Sequence, residues 1–76
     1  MSEVELQRCL EAILMVVDEP VSELVLAQII EVPTDEITAA LISLAAKYES
    51  EQHGFELRQV SGGWRYYSHP EMAALV

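Results

Sequence analysis

Glycine, proline and cysteine are all scarce in this chain of 76 residues, which holds three glycines, three prolines and one cysteine, Cys9. A single cysteine excludes an internal disulfide framework and fits a reducing compartment. Bases are nearly as few: four Lys and Arg stand against thirteen Asp and Glu, for a formal net charge of −9. That balance repels phosphate backbones and anionic membranes. Long apolar runs are also missing. The longest, Ala12 to Val17, falls far short of the ~20 residues a membrane span needs, and no basic segment leads into it, so neither a span nor a signal peptide is expected. Histidine and cysteine are too few and too scattered to suggest a nucleophile–base pair. Cys9, His53 and His69 lack metal-ligand spacing, and both histidines read as solvated turn residues. Gly62-Gly63 lacks the surroundings of a phosphate-binding loop. No catalytic, cofactor-binding or metal-binding residue is expected, and an enzyme is the remotest reading.

Apolar residues, by contrast, are plentiful at 51%, which excludes a disordered tail and points to one small domain burying roughly 60% of its unfolded surface. Their spacing names the elements. Ser2 and Glu5 make an S-x-x-E capping box for a first helix running to about Val17, with Leu6, Leu10, Ile13, Leu14 and Val17 on its core face and Cys9 and Val16 widening it. Asp18-Glu19-Pro20-Val21 breaks the pattern, and Pro20-Val21 is a candidate for a short edge strand. Ser22 caps a second helix to Ile30, with Leu26, Ala27, Ile29 and Ile30 inward and Leu24 outward. After the short link Glu31-Val32-Pro33, Thr34 reads as the N-cap of a third helix, with Asp35 and Glu36 in its first turn, where the helix dipole favours acids. Ile37, Leu41, Leu44, Ala45 and Tyr48 form its core stripe.

Beyond Gly54 the period changes to two. Phe55 to Gln59 reads as a strand, Gly62-Gly63 as a type I′ turn and Trp64 to Tyr67 as the return strand. This register sets Gln59 opposite Tyr66 and Leu57 opposite Ser68. It turns Phe55, Leu57, Trp64 and Tyr66 inward, with Glu56, Arg58, Arg65 and Tyr67 in water. His69-Pro70-Glu71 restarts a helix, with Pro70 suited to its first turn. The fold class is therefore α+β, a winged helix-turn-helix of three helices, a β-hairpin wing and the start of a fourth helix.

What the elements leave outside suggests function. On the third helix, Ala39, Ser43 and Ala46 with Ile42 at the edge make a small, uncharged outer face. The first helix carries Val4, Ala12 and Met15 behind its core stripe, and the second carries Leu24. These eight residues are the candidate protein interface, since small monomers seldom leave such patches bare, with a broader core contact as the alternative for the first helix. On the wing, Arg58 and Arg65 lie diagonally beside Tyr67. They read first as solvated arginines relieving an acidic surface through Glu56, then as contacts to a protein, and last as contacts to DNA.

The run DEPVSE at Asp18 to Glu23, then GFELR at Gly54 to Arg58 followed by GGWR at Gly62 to Arg65, and the closing Pro70-Glu71 resemble the start of the segregation and condensation protein B (ScpB) family. The likeness extends over practically the whole chain. It implies a non-enzymatic, cofactor-free protein of two tandem winged-helix domains, of which residues 1–76 are the first. It further implies a cytoplasmic, nucleoid-associated homodimer that binds the kleisin ScpA and through it Smc, in chromosome condensation and segregation. Two departures stand out. Glu31 replaces the usual helix-ending glycine, so a wider turn is expected there. Leu24 and Val25 replace polar residues and enlarge the apolar surface.

The alternative from another class is a winged-helix transcription regulator whose wing touches DNA. The acidic charge and the donor-poor third helix oppose it, because base readout needs donors on the recognition helix and phosphate contact needs bases. Duplex DNA is accordingly expected not to bind appreciably at physiological salt, and saturation of a fluorescence-anisotropy titration at low micromolar protein would overturn this.

Overall fold

Ser2 and Ser22 open helices by the same device. Each serine is extended, and its hydroxyl accepts the N–H three residues on, from Glu5 at 3.1 Å and from Val25 at 3.2 Å. They start α1 (Glu3–Val16) and α2 (Glu23–Ile30), which precede α3 (Thr34–Ser50), β1 (Phe55–Val60), β2 (Gly63–Ser68) and a 3-10 turn at Pro70–Met72. The structure, a computed structural model, describes residues 1–72. The strands pair antiparallel, so the α+β winged helix-turn-helix is as expected. Where the start of a fourth helix was expected, the described residues hold a 3-10 turn at Pro70–Met72, and the rest of that expectation falls outside them.

One core serves the three helices and the hairpin. Leu6, Leu10 and Leu14 of α1 meet Leu26 and Ala27 of α2, Ile37, Ala40, Leu41, Leu44 and Tyr48 of α3, and Leu57 and Trp64 of the hairpin. Three details of the helices differ from the sequence reading. Thr34 is not a cap: α3 begins one residue earlier, and the Pro33 carbonyl accepts from Glu36 and Ile37, with no side-chain cap. Ile29 points outward and is 58% exposed, because an eight-residue helix offers one stripe and Leu26, Ala27 and Ile30 fill it. Val16 is also exposed, since Val17 makes the last core contact as α1 ends.

The link between α2 and α3 is not widened. Glu31 takes the left-handed conformation (φ 64°, ψ 46°), and the N–H groups of Glu31 and Val32 both donate to the Ala27 carbonyl. This is the tight helix stop that glycine usually supplies, and a side chain here costs about 1–2 kcal/mol of backbone strain.

The hairpin turn falls one residue earlier than expected. Ser61 and Gly62 have the positive φ values (50° and 77°), and Val60 pairs with Gly63, Gln59 with Trp64 and Leu57 with Tyr66. Gly63 is needed elsewhere: a Cβ on it would lie 2.8 Å from the backbone of Pro20. That closeness lets Val21 and Trp64 exchange both backbone hydrogen bonds, at 3.0 and 2.7 Å, so the expected short edge strand is a single bridge. Each partner moves by two residues, an even step, so Leu57, Trp64 and Tyr66 keep their inward face, whereas Phe55, expected inward as well, stands at the start of its strand beyond the core and is 37% exposed.

Trp64 thereby anchors the wing. Its ring is buried, and its indole N–H donates to the Glu23 carboxylate at 2.9 Å. Replacing so large a buried ring by alanine costs about 3–5 kcal/mol, against the ~5 kcal/mol a domain of this size commands. Trp64→Ala should be largely unfolded at 37 °C in urea-calibrated circular dichroism. A melting temperature within a few degrees of the parent would show that the wing does not depend on this ring.

Candidate protein-interaction surface

Each helix buries one stripe and leaves apolar side chains on its other side. On α1, Val4 (67% exposed), Ala12 and Met15 (76% exposed) face out, joined by Val16. On α3, Ala39, Ile42, Ser43 and Ala46 are all exposed. The small residues at 39, 43 and 46 would let another backbone approach closely. Leu24 stands on α2 with Val25 and Ile29, all exposed, so this face is more apolar than Leu24 alone suggested. The spacing of Val25 and Ile29, one helical turn apart, carried that signal in the sequence.

The eight candidate residues do not form one patch. Ala39 and Ser43 line a depression together with Met1, Leu6 and Glu36, where the start of α1 meets α3. Met15 lies instead on a groove of about 460 Å³ between the end of α1 and the hairpin, with Glu11, Leu14, Phe55, Arg65 and Tyr66. Leu24 belongs to neither.

Along the floor of this groove runs a half-buried polar chain that the sequence reading did not find. The Tyr48 hydroxyl donates to Glu11 at 2.6 Å and lies 2.8 Å from the Tyr66 hydroxyl. Burial, reinforced by the bond to Glu11, holds the Tyr48 phenol protonated far above its usual range, and burial also raises Tyr66. Residues 37 and 18 positions apart leave no local pattern from which such a network could be read.

On the wing, Arg58 and Arg65 are directly opposite, not diagonal, because of the register. Both guanidinium groups lie 5.2 Å from the centre of the Tyr67 ring, within cation–π range. Arg58 pairs with Glu56 at 3.3 Å, as the solvated reading expected, whereas Arg65 makes no ion pair among the described residues. The leading end of α3 presents Asp35 and Glu36, both exposed.

The two histidines are not simply solvated, which corrects the sequence reading. His53 packs edge-on against Tyr48 and beside Phe55, with Nε2 2.9 Å from Glu51. His69 Nε2 lies 2.9 Å from Glu49, its Nδ1 accepts the Glu71 backbone N–H, and its backbone N–H donates to the Gly54 carbonyl. The chain after β2 is thus latched to the end of α3. Glu49, Glu56 and His69 bring their ligand atoms within 4.8 Å of one another, but the group suits a metal poorly. Glu56 is committed to Arg58. With Nδ1 accepting from the backbone, the neutral ring carries its proton on Nε2, where a metal would need the lone pair.

Comparison with known proteins bears on these surfaces. The family model for the segregation and condensation complex subunit ScpB matches residues 8–76. Segregation and condensation protein B of Desulforamulus reducens is 34% identical over 67 residues, covering 88% of this chain and 37% of that protein. The crystal structure of ScpB from Mycobacterium tuberculosis superposes with a TM-score of 0.96 at 36% identity, over 99% of this chain and 47% of that one. A ScpB N-terminal domain, crystallised as a dimer with a ScpA peptide, matches with a TM-score of 0.84 at 26% identity, over 91% of this chain and 86% of its own. The chain therefore spans less than half the length of the first two relatives.

The latch makes a pH prediction. The hydrogen bond to Glu49, ahead of the charges of Glu49, Glu71 and Glu56, raises the His69 pKa above its ordinary value of about 6.5. A raised folded value means that the His69 contribution is complete below the unfolded pKa and is lost as pH rises through the folded one. An NMR titration should place His69 above 6.5, and Glu49→Gln should lower it; an unchanged midpoint in Glu49→Gln would remove Glu49 as the cause.

Proposed function

The chain belongs to the ScpB family of segregation and condensation complex subunits, and from that premise we propose that it is a non-enzymatic adaptor domain that dimerises and holds the kleisin ScpA, and through it Smc, in chromosome condensation and segregation. It is the first of two winged-helix domains of a cytoplasmic, nucleoid-associated protein. The observation that carries this reading is apolar surface left bare on separate elements: Val4 and Met15 on α1, Leu24 and Ile29 on α2 and Ile42 on α3, each more than half exposed. Surfaces pointing in different directions suit a protein with more than one partner. The match to a ScpB domain that is a dimer with a ScpA peptide supports the same reading. No helix among the described residues is long and apolar enough to cross a membrane.

For the dimer we favour the outer face of α3. Ala39, Ser43 and Ala46 permit close approach, Ile42 supplies an apolar anchor, and a two-fold contact would present this face to its copy. Acidic Asp35 and Glu36 at the head of the same helix argue against use of this face on DNA.

Two subunits of charge −9 repel at long range, and salt screens that repulsion, so an apolar dimer should tighten or hold as salt rises. Sedimentation at several concentrations should show it, and Ile42→Glu should weaken it. If Met15→Glu breaks the dimer and Ile42→Glu leaves it intact, α1 is the seam. A chain that stays monomeric at millimolar concentration would refute both arrangements.

A further inference from the structure

We propose that the groove between α1 and the free edge of β2 seats an extended kleisin segment bearing an apolar side chain next to a carboxylate. This rests on the reading that the domain holds ScpA, and it assigns the place and the chemistry of the contact. The walls set the first requirement. Leu14, Met15 and Phe55 line a space of about 460 Å³, a size that accepts one or two side chains. A dimer seam needs about 800 Å² from each partner, so the groove fits a peptide better than a second copy. At a two-fold axis, moreover, Arg65 would meet Arg65.

Charge sets the second requirement. Arg65 stands at the groove and has no ion-pair partner among the described residues, in a chain with thirteen acids. It faces Arg58 directly across the ladder, and like charges in that position destabilise a hairpin. An incoming carboxylate would relieve the pair. Glu11, the acid on the groove floor, is already held by the Tyr48 hydroxyl at 2.6 Å.

The sheet edge sets the third. Trp64 spends its backbone N–H and C=O on Val21, so by the two-residue alternation those of Tyr66 face the same side. They have no backbone partner among the described residues. An extended segment could continue along β2 from where Val21 leaves off, with its apolar residue in the groove and its acid at Arg65.

Calorimetric titration of this chain with the full-length ScpA of the same bacterium tests the proposal. Arg65→Glu and Met15→Glu should each weaken binding roughly tenfold or more, and Leu24→Glu, away from the groove, by no more than about twofold. Arg65→Glu should also remove most of the salt sensitivity of binding. Met15 and Arg65 are surface residues whose variants should melt like the parent. If Met15→Glu does not fold, Arg65→Glu and its salt dependence decide. Wild-type binding left unchanged by both substitutions would overturn the groove and leave the kleisin reading standing. Dissociation of the dimer by Met15→Glu with ScpA affinity intact would also overturn it. Absence of any ScpA binding by the wild type would bring down both.

Discussion

The structure depends on one fastening, the attachment of the wing at Trp64. A two-stranded hairpin is marginal by itself in water. Here its return strand is held by a buried indole, by two backbone bonds to Val21 and by the indole N–H bond to Glu23. The Glu23 carboxylate accepts on its other oxygen from the Thr38 hydroxyl at 2.8 Å. One side chain in the first turn of α2 therefore ties the wing to α3. The absence of a side chain at Gly63, where a Cβ would collide with Pro20, is what lets the strands come close enough.

The second fastening, the Tyr48–Glu11–Tyr66 chain, works differently. It joins the middle of α1 to the end of α3 and to β2 through hydroxyl and carboxylate groups partly removed from water. Buried polar groups are tolerable only when satisfied, and satisfied ones fix geometry more sharply than apolar contacts do. These bonds fix how the polar groups are laid out along the groove.

A domain this small cannot bury all its apolar residues, because each helix has two sides and there is one core. The leftover side chains fall on several faces. The acids around them make the surround negative, which opposes phosphate backbones. Such a division, a packed centre with apolar faces in an acidic surround, suits assembly with other proteins.

The sequence by itself determined the elements and most of their inner faces. Capping serines, 3.6-residue stripes and the period-two hairpin are local, and local spacing is what secondary structure obeys; the acidic balance and the bare small-residue face of α3 were legible for the same reason. Tertiary structure decided the rest. Gly62-Gly63 looks like the turn until Pro20, more than forty positions away, claims Gly63 and moves the turn to Ser61-Gly62. Ile29 is as apolar as Ile30, and only the shape of the core shows which one it lacks room for. Glu31 holds a conformation that its own preferences oppose, because the packing of α2 against α3 demands a tight stop. The groove of Met15, Phe55 and Arg65, and the pairing of His69 with Glu49, join residues far apart in the chain. Distance along the chain hides such contacts, since only packing brings their members together.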